Sequence, residues 1–162
     1  RGIPEIVLML LLYFGLGPYF PIPFGNAFFV AAFVLGLRSG ANQSQIYRGA
    51  IRGVGDEQMI AGTSVGLSKW RVIWHIMVPQ VFTFSTPGLG SEYALLIKDS
   101  AYVYVIGGLA EIMTLSLRLK SMPPYDVITP FVLAAILYIA LTFPIAFWLD
   151  RWGNKRKKKI GL

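Results

Sequence analysis

The 162-residue chain has no cysteine, a single histidine and only eight acidic residues. The absence of thiols excludes thiolate metal sites and leaves the redox compartment unreadable. The lone histidine, His75, has no partners spaced for a catalytic triad or a metal site and reads as structural. No Walker-type phosphate loop, His-Glu-x-x-His or Cys-x-x-Cys occurs anywhere. The chain is therefore not an enzyme by signature, and any energy source must lie in another polypeptide. Charge is scarce too: 14% of residues are charged, against roughly 25% in an average soluble domain.

What is present is apolar. Hydrophobic residues make up 55% of the chain and the mean hydropathy is +0.59, a composition that belongs in a lipid bilayer. Ile6–Phe20 is almost uninterrupted apolar sequence. It is short of the about 20 residues that a span requires and reads as the end of a helix that begins before Arg1. The opening Arg1-Gly2 has no initiator methionine, so a fragment or processed product is expected. Pro18, Pro21 and Pro23 stop the run, and without a small-residue cleavage site it does not read as a signal peptide. Asn26 can cap a helix that is apolar over Ala27–Leu37 and more polar to about Gly53. Arg38, Ser39, Asn42, Gln43 and Gln45 lie within or just beneath its apolar part and should face protein or water rather than lipid.

A polar, glycine-punctuated island follows. Asp56 can cap a short helix over Glu57–Val65 with Gly66 as its C′ residue, and Ser68 a second one to Val78. Pro79 then marks the start of an apolar segment, about Val81–Gly107. Pro87, Gly88 and Gly90 interrupt it, and Glu92, Lys98 and Asp99 lie along it; a broken helix with charges at depth is a feature of transport pathways. Glu111–Asp126 reads as a polar loop with a short amphipathic helix. Val127–Leu149 is the clearest transmembrane helix, 23 residues without a charge, and Asp150–Leu162 is a basic tail.

The sequence thus predicts an all-α, polytopic membrane helix bundle of about four spans. Residues 1–149 form the transmembrane domain with a cytoplasmic region at 56–79, and residues 150–162 a basic cytoplasmic tail. The net charge of +7 is topological. With the island and tail on one side, that side holds eleven of the fifteen basic residues: Arg1, Arg48, Arg52, Lys69, Arg71, Arg151, Lys155, Arg156, Lys157, Lys158 and Lys159. The positive-inside rule makes that side cytoplasmic, and nucleic acid is not needed to explain the charge. Trp70, Trp74, Trp148 and Trp152 suit interfacial anchoring, and the lysine run 155–159 suits contact with membrane lipid.

Two readings of the island are open on composition alone. It is either an ordinary loop of amphipathic helices on the membrane or a docking helix for a partner groove. The small residues Ala61, Gly62, Thr63, Ser64 and Gly66 favour docking over adsorption.

Gly66-Leu-Ser-Lys-Trp-Arg…His-Ile-Met-Val-Pro79-Gln80 resembles the cytoplasmic signature of ABC-transporter permeases, in which Glu-Ala-Ala precedes a glycine and an Ile-x-Leu-Pro. In that register the usual glutamate is Ile60, followed by Ala61 and Gly62, with Glu57 and Asp56 close by. Arg1-Gly-Ile-Pro4…Leu12-Tyr13-Phe14-Gly15-Leu16, Ser39-Gly-Ala41…Ile46-Tyr-Arg-Gly49 and Gly90-Ser-Glu92-Tyr…Leu96-Ile-Lys98-Asp99-Ser100 resemble segments of the polar amino acid permeases. The resemblance covers essentially the whole chain. It implies five spans in the full-length family, with the first upstream of Arg1. It also implies that Glu57, Ile60, Ala61, Gly62, Gly66 and Pro79 couple to an ATP-binding subunit. ATP and Mg would be held by that partner, and no cofactor by this chain.

The resemblance further implies the translocation subunit of an amino acid ABC importer in a prokaryotic cell membrane. Such a subunit pairs with a second permease, identical or related, and receives an amino acid substrate from an extracytoplasmic binding protein. For Glu92, one reading is a counter-charge for the substrate's ammonium group, the other a structural carboxylate paired with Lys98 or Arg38. Arg38, at a position usually asparagine in the family, either clamps a substrate carboxylate or pairs with Glu92. Ser39 and Asn42 either line the cavity or bond helix to helix. Lys98-Asp99 reads as a local charge pair fixing the helix end. The rival functions are an ion-coupled secondary transporter, a permease for another small solute, and an assembly protein without a conducting path.

Overall fold

The computed structural model describes residues 2–107, 109–124 and 126–159, the last three without their side chains. Arg1 and the side chains of Lys157, Lys158 and Lys159, named above, lie outside the described residues. Among the described residues every regular element is helical, so the fold is the all-α one that composition and periodicity predict. The chain divides into two compact units, Arg1–Ala41 with Ala94–Phe143, and Asn42–Tyr93 with Pro144–Leu162.

In the first unit, α1 (Glu5–Leu10) continues as a π-helical segment, Leu11–Leu16. A single turn, α2 (Pro21–Phe24), leads to the first part of α3 (Ala27–Val54). The Asn26 side chain accepts from the backbone N–H groups of Phe28 and Phe29 at 2.9 and 3.2 Å, so it caps α3 as its residue type predicts. Ala27, Val30, Ala31 and Val34 repeat at helical spacing and are all buried. Their stripe meets Met9, Leu12, Val103 and Ile106 in one apolar core. The unit is completed by the 3₁₀ segment Ser100–Ile106, α7 (Ile112–Leu119) and the start of α8 (Ile128–Lys159). Phe28, Phe33, Leu133 and Phe143 are exposed, as suits a protein whose outer solvent is lipid.

Both ends of the expected polar loop are capped by carboxylates. Glu111 accepts from the backbone N–H groups of Met113 and Thr114 and from the Thr114 hydroxyl, starting α7. Asp126 accepts from Ile128 and Thr129 N–H at 2.9 and 3.2 Å, starting α8. Hydrogen bonds from the Thr129 side chain and backbone, then from the Ile128 backbone, hold the Asp126 carboxyl below its usual 3.8. A lowered folded-state value means that the cap contributes above the unfolded value and is lost as pH falls through the folded one. The Asp126→Ala variant is expected to speed amide exchange at Ile128 and Thr129 at neutral pH. The native protein should do so only as pH drops below 3.8.

The second unit holds the rest of α3, α4 (Glu57–Ser64), α5 (Lys69–Val72), a π-helical segment Ile73–Met77, most of α6 (Val78–Asp99) and the end of α8. Gly55 and Gly66, at φ of +74° and +86°, close α3 and α4, so Gly66 takes the expected C′ role. Capping differs from expectation in detail. Asp56 and Ser68 stand at the N-cap positions, but neither side chain makes a capping hydrogen bond. Asp56 is already in helical conformation, which turns its carboxylate away from the first-turn amides.

Two further expectations are corrected. The helix after Ser68 does not stop at Val78, because the π-helical turn carries the chain past Pro79, which becomes the second residue of α6. Nor is α6 broken at Pro87–Gly90: it is continuous, with Pro87 inside it. The Thr83, Ser85, Thr86 and Ser91 hydroxyls donate back to carbonyls of the same helix at 2.7–3.2 Å, so the polar positions are satisfied locally. The two glycines serve close packing. A Cβ on Gly88 would lie 2.8 Å from Ile46 Cγ2, and one on Gly90 3.4 Å from Leu149 Cβ.

By length and apolarity together, one helix among the described residues qualifies to cross a membrane: Ile128–Arg156, 29 residues long, with a mean hydropathy of 2.3 over its apolar 18-residue stretch. Glu5–Leu16 is a shorter apolar helix. α3 and α6 have the length, 28 and 22 residues, but are diluted by the polar positions described above. Helix α8 also runs on through the basic tail to Lys159 rather than ending near Leu149.

Candidate functional site

The island is a small helical hairpin. Gly62 is buried, and a Cβ there would lie 2.6 Å from Val72 Cγ2 and 3.4 Å from Ile76 Cδ1. The backbone of α4 therefore sits directly on α5 and the π-helical turn, a contact only glycine permits. On the hairpin's outside, Glu57, Ala61, Thr63, Ser64 and Gly66 are exposed, with Ile60 at 64% and Val65 at 76%. Of the six residues expected to couple, Glu57, Ile60, Ala61 and Gly66 present this surface. Gly62 supports it from behind, and Pro79 lies in the first turn of α6. The Gln80 amide donates to the Gln58 side chain at 3.5 Å, a long bond linking α6 to α4. His75 Nδ1 donates to the Arg71 carbonyl at 3.2 Å, consistent with a structural histidine.

Glu92 is 4% exposed on α6 and accepts a hydrogen bond from the Asn42 amide of α3 at 3.1 Å. These two predicted pathway residues thus meet within the second unit. Arg38 and Ser39 belong to the first unit, where Ser39 is buried. The Arg38 guanidinium bridges two carboxylates, Glu5 at 3.0 Å and Asp99 at 2.6 Å. The sequence reading missed Glu5. Its signal was available, as a lone acid at the edge of a long apolar run. Asp99, expected to pair with its neighbour Lys98, is engaged by Arg38 instead, an ion pair between α3 and the end of α6. The three groups together carry one net negative charge. Arg38 and Glu5 border a cavity of about 200 Å³ whose lining includes Leu8, Val34 and Leu37. Among the described residues, no three side chains of metal-ligating type come together.

Residues 1–159 match the family described as the binding-protein-dependent transport system inner membrane component. The arginine ABC transporter permease protein ArtQ of Haemophilus influenzae is 36% identical over 150 residues, covering 88% of this chain and 66% of that protein. The octopine transport system permease protein OccQ of Agrobacterium tumefaciens is 31% identical over 153 residues, covering 88% and 64%. The chain thus spans about two thirds of the length of these curated relatives. A crystal structure of an amino acid ABC transporter with histidines superposes with a TM-score of 0.81 at 29% identity, over 96% of this chain and 71% of that one. A family match over nearly the whole length, with a shared all-helical fold, has one meaning: the chain belongs to the binding-protein-dependent transport system inner membrane components.

Proposed function

We propose that the chain is the translocation subunit of an ATP-driven importer of amino acids. It would work with a second permease, a separate ATP-binding subunit that holds ATP and Mg, and an extracytoplasmic binding protein. The observation that carries this reading is the α4 hairpin, whose small-residue surface is exposed on one side and locked to α5 at Gly62 on the other. A rigid knob of this kind suits insertion into a partner groove. The names of the relatives support an amino acid substrate. The buried carboxylate of Glu92 supplies a counter-charge for an ammonium or cationic side chain.

In this mechanism ATP-driven closure of the partner moves the hairpin on its cytoplasmic side. α5 and α6 form one uninterrupted helical path from the hairpin to Glu92, so the displacement reaches the residue that holds substrate charge. Coupling is then a shift between two arrangements of rigid elements, each favoured by a different state of the ATPase.

The test is uptake of labelled arginine into vesicles containing the assembled complex. ATP should drive uptake, an uncoupler should leave it intact, and loss of ATP should stop it. Glu92→Gln retains an acceptor for Asn42 and deletes only the charge. It is expected to cut uptake at least about tenfold, as loss of a charge-assisted contact does, while the amount of co-purified ATPase subunit stays constant. Uptake that follows an ion gradient without ATP would sink the importer reading. Poor assembly of Glu92→Gln would make the carboxylate helix glue.

A further inference from the structure

The C-terminal end of α8 has two dissimilar faces. Ala146, Leu149, Asp150 and Gly153 follow the i, i+3, i+4, i+7 spacing of one face, and this face packs on α6. A Cβ on Gly90 would lie 3.4 Å from Leu149 Cβ, 3.5 Å from the Ala146 carbonyl and 3.6 Å from Asp150 Oδ1. One on Gly153 would lie 3.1 Å from Thr86 Cβ. Trp148, Arg151, Trp152 and Lys155 repeat the same spacing two residues later, about 200° round the helix. They therefore occupy the opposite face.

That outer face is organised. The Trp148 and Trp152 rings stack at 6.5 Å with 17° between their planes. The Arg156 guanidinium lies 4.6 Å from the Trp152 ring centroid, and Arg151 lies 5.6 Å from that of Phe147. Stacking of this kind holds a guanidinium in place and leaves its donors free to turn outward. Arg151, Lys155 and Arg156 are exposed, and Trp148 is 63% exposed. Asp150, the only acid in the sequence of α8, is on the packed face. The outer face therefore presents cations and indoles. It begins where the uncharged run of α8 ends, at the depth of lipid headgroups.

We propose that this face binds the headgroup of an anionic phospholipid. Arg151 and Arg156 flank the indole pair, each held by its own ring, and either guanidinium takes the phosphate oxygens of a headgroup on its side, while Trp148 and Trp152 pack against the glycerol and upper acyl chain. A guanidinium held by stacking offers its own fork of donors to a phosphate, which diffuse attraction to the membrane surface does not require. A soluble phosphate offers the same oxygens but no apolar portion for the two indoles. The proposal depends only on membrane insertion and not on the identity of the transported solute.

The test uses the full-length chain in lipid nanodiscs, with Trp70→Phe and Trp74→Phe so that Trp148 and Trp152 report. Brominated phosphatidylglycerol is compared with brominated phosphatidylcholine at equal, low mole fraction. Stronger quenching by phosphatidylglycerol is expected, with an apparent preference of about fivefold for each cation engaged. That preference should vanish in Arg151→Gln/Arg156→Gln, while quenching by phosphatidylcholine stays unchanged. Salt at about 1 M, where the Debye length is about 3 Å, should reduce the preference without any mutation. Millimolar inorganic phosphate should leave it intact. Equal quenching by the two lipids, or a preference that survives the double substitution, would overturn the site. Displacement by inorganic phosphate would overturn the lipid as its ligand.

Discussion

Replacing Gly62 with valine is expected to abolish coupling to the proposed ATP-binding subunit while leaving the membrane-embedded part folded. The added Cβ would fall 2.6 Å from Val72 Cγ2 and 3.0 Å from Cγ1, inside any tolerated contact. Both atoms belong to a buried, β-branched side chain with little freedom to move. Relief must come from α4 lifting off α5, at about 1–3 kcal/mol for overpacking of this kind. In the proposed mechanism a displaced hairpin would no longer fit the partner groove, so substrate-stimulated ATP hydrolysis by the assembled complex should drop at least about tenfold, the factor that 1.4 kcal/mol represents. Val72→Ala should restore it in the double variant by vacating the space. Gly66→Leu strains a φ of +86° rather than a contact, at a cost of about 1–2 kcal/mol. It is expected to impair coupling without rescue by Val72→Ala. Wild-type stimulation in both Gly62→Val and Gly66→Leu would remove the hairpin from the coupling path.

The second large effect is expected at Arg38. Its guanidinium is the shared cation of Glu5 and Asp99, and Arg38→Ala leaves two carboxylates without it. Removing one partner of a buried ion pair costs about 3–5 kcal/mol. Side-chain exposures of 21% for Arg38, 29% for Glu5 and 13% for Asp99 argue for the lower end of that range. Arg38→Lys should recover only part, since a single ammonium cannot fork between two acids as a guanidinium does. The informative variant is Arg38→Ala with Glu5→Gln and Asp99→Asn, which deletes the charges together. If Arg38 acts as the hub of the trio, this triple variant should regain folding and amino acid uptake. Recovery of folding without uptake would return Arg38 to the role of substrate clamp. Thermal unfolding in detergent and vesicle uptake separate the two outcomes.

The parts of the fold legible in the sequence were those governed by local chemistry. Asn26 caps α3 because its side chain reaches amides two and three residues on. Gly66 closes α4 because a left-handed residue is needed there, and Ala27–Val34 is buried because its spacing is helical. The errors share a cause. Pro79, Pro87, Gly88 and Gly90 read as breaks when taken one at a time. Whether a helix survives them depends on neighbours, here the returning hydroxyls of α6 and the close approach of Ile46 and Leu149. The partner of a charge is even less local. Asp99 lies beside Lys98 in sequence, yet Arg38 holds it, and Glu5 looked like the margin of an apolar run. The family motifs singled out Glu92 and the hairpin residues as candidates, but not that Gly62 faces inward or that Asn42 is a hydrogen-bond partner of Glu92.

The unbroken passage of helix from Lys69 through Val78 and on to Glu92 has a mechanical consequence. If the π-helical turn and Pro87 hold stiff, the segment acts as a lever arm, about 35 Å long at 1.5 Å per residue. A rotation of about 5° about one end then sweeps the other through about 3 Å, comparable to the length of a hydrogen bond. A small rocking of the hairpin is enough to make or break a contact at a carboxylate more than six helical turns away.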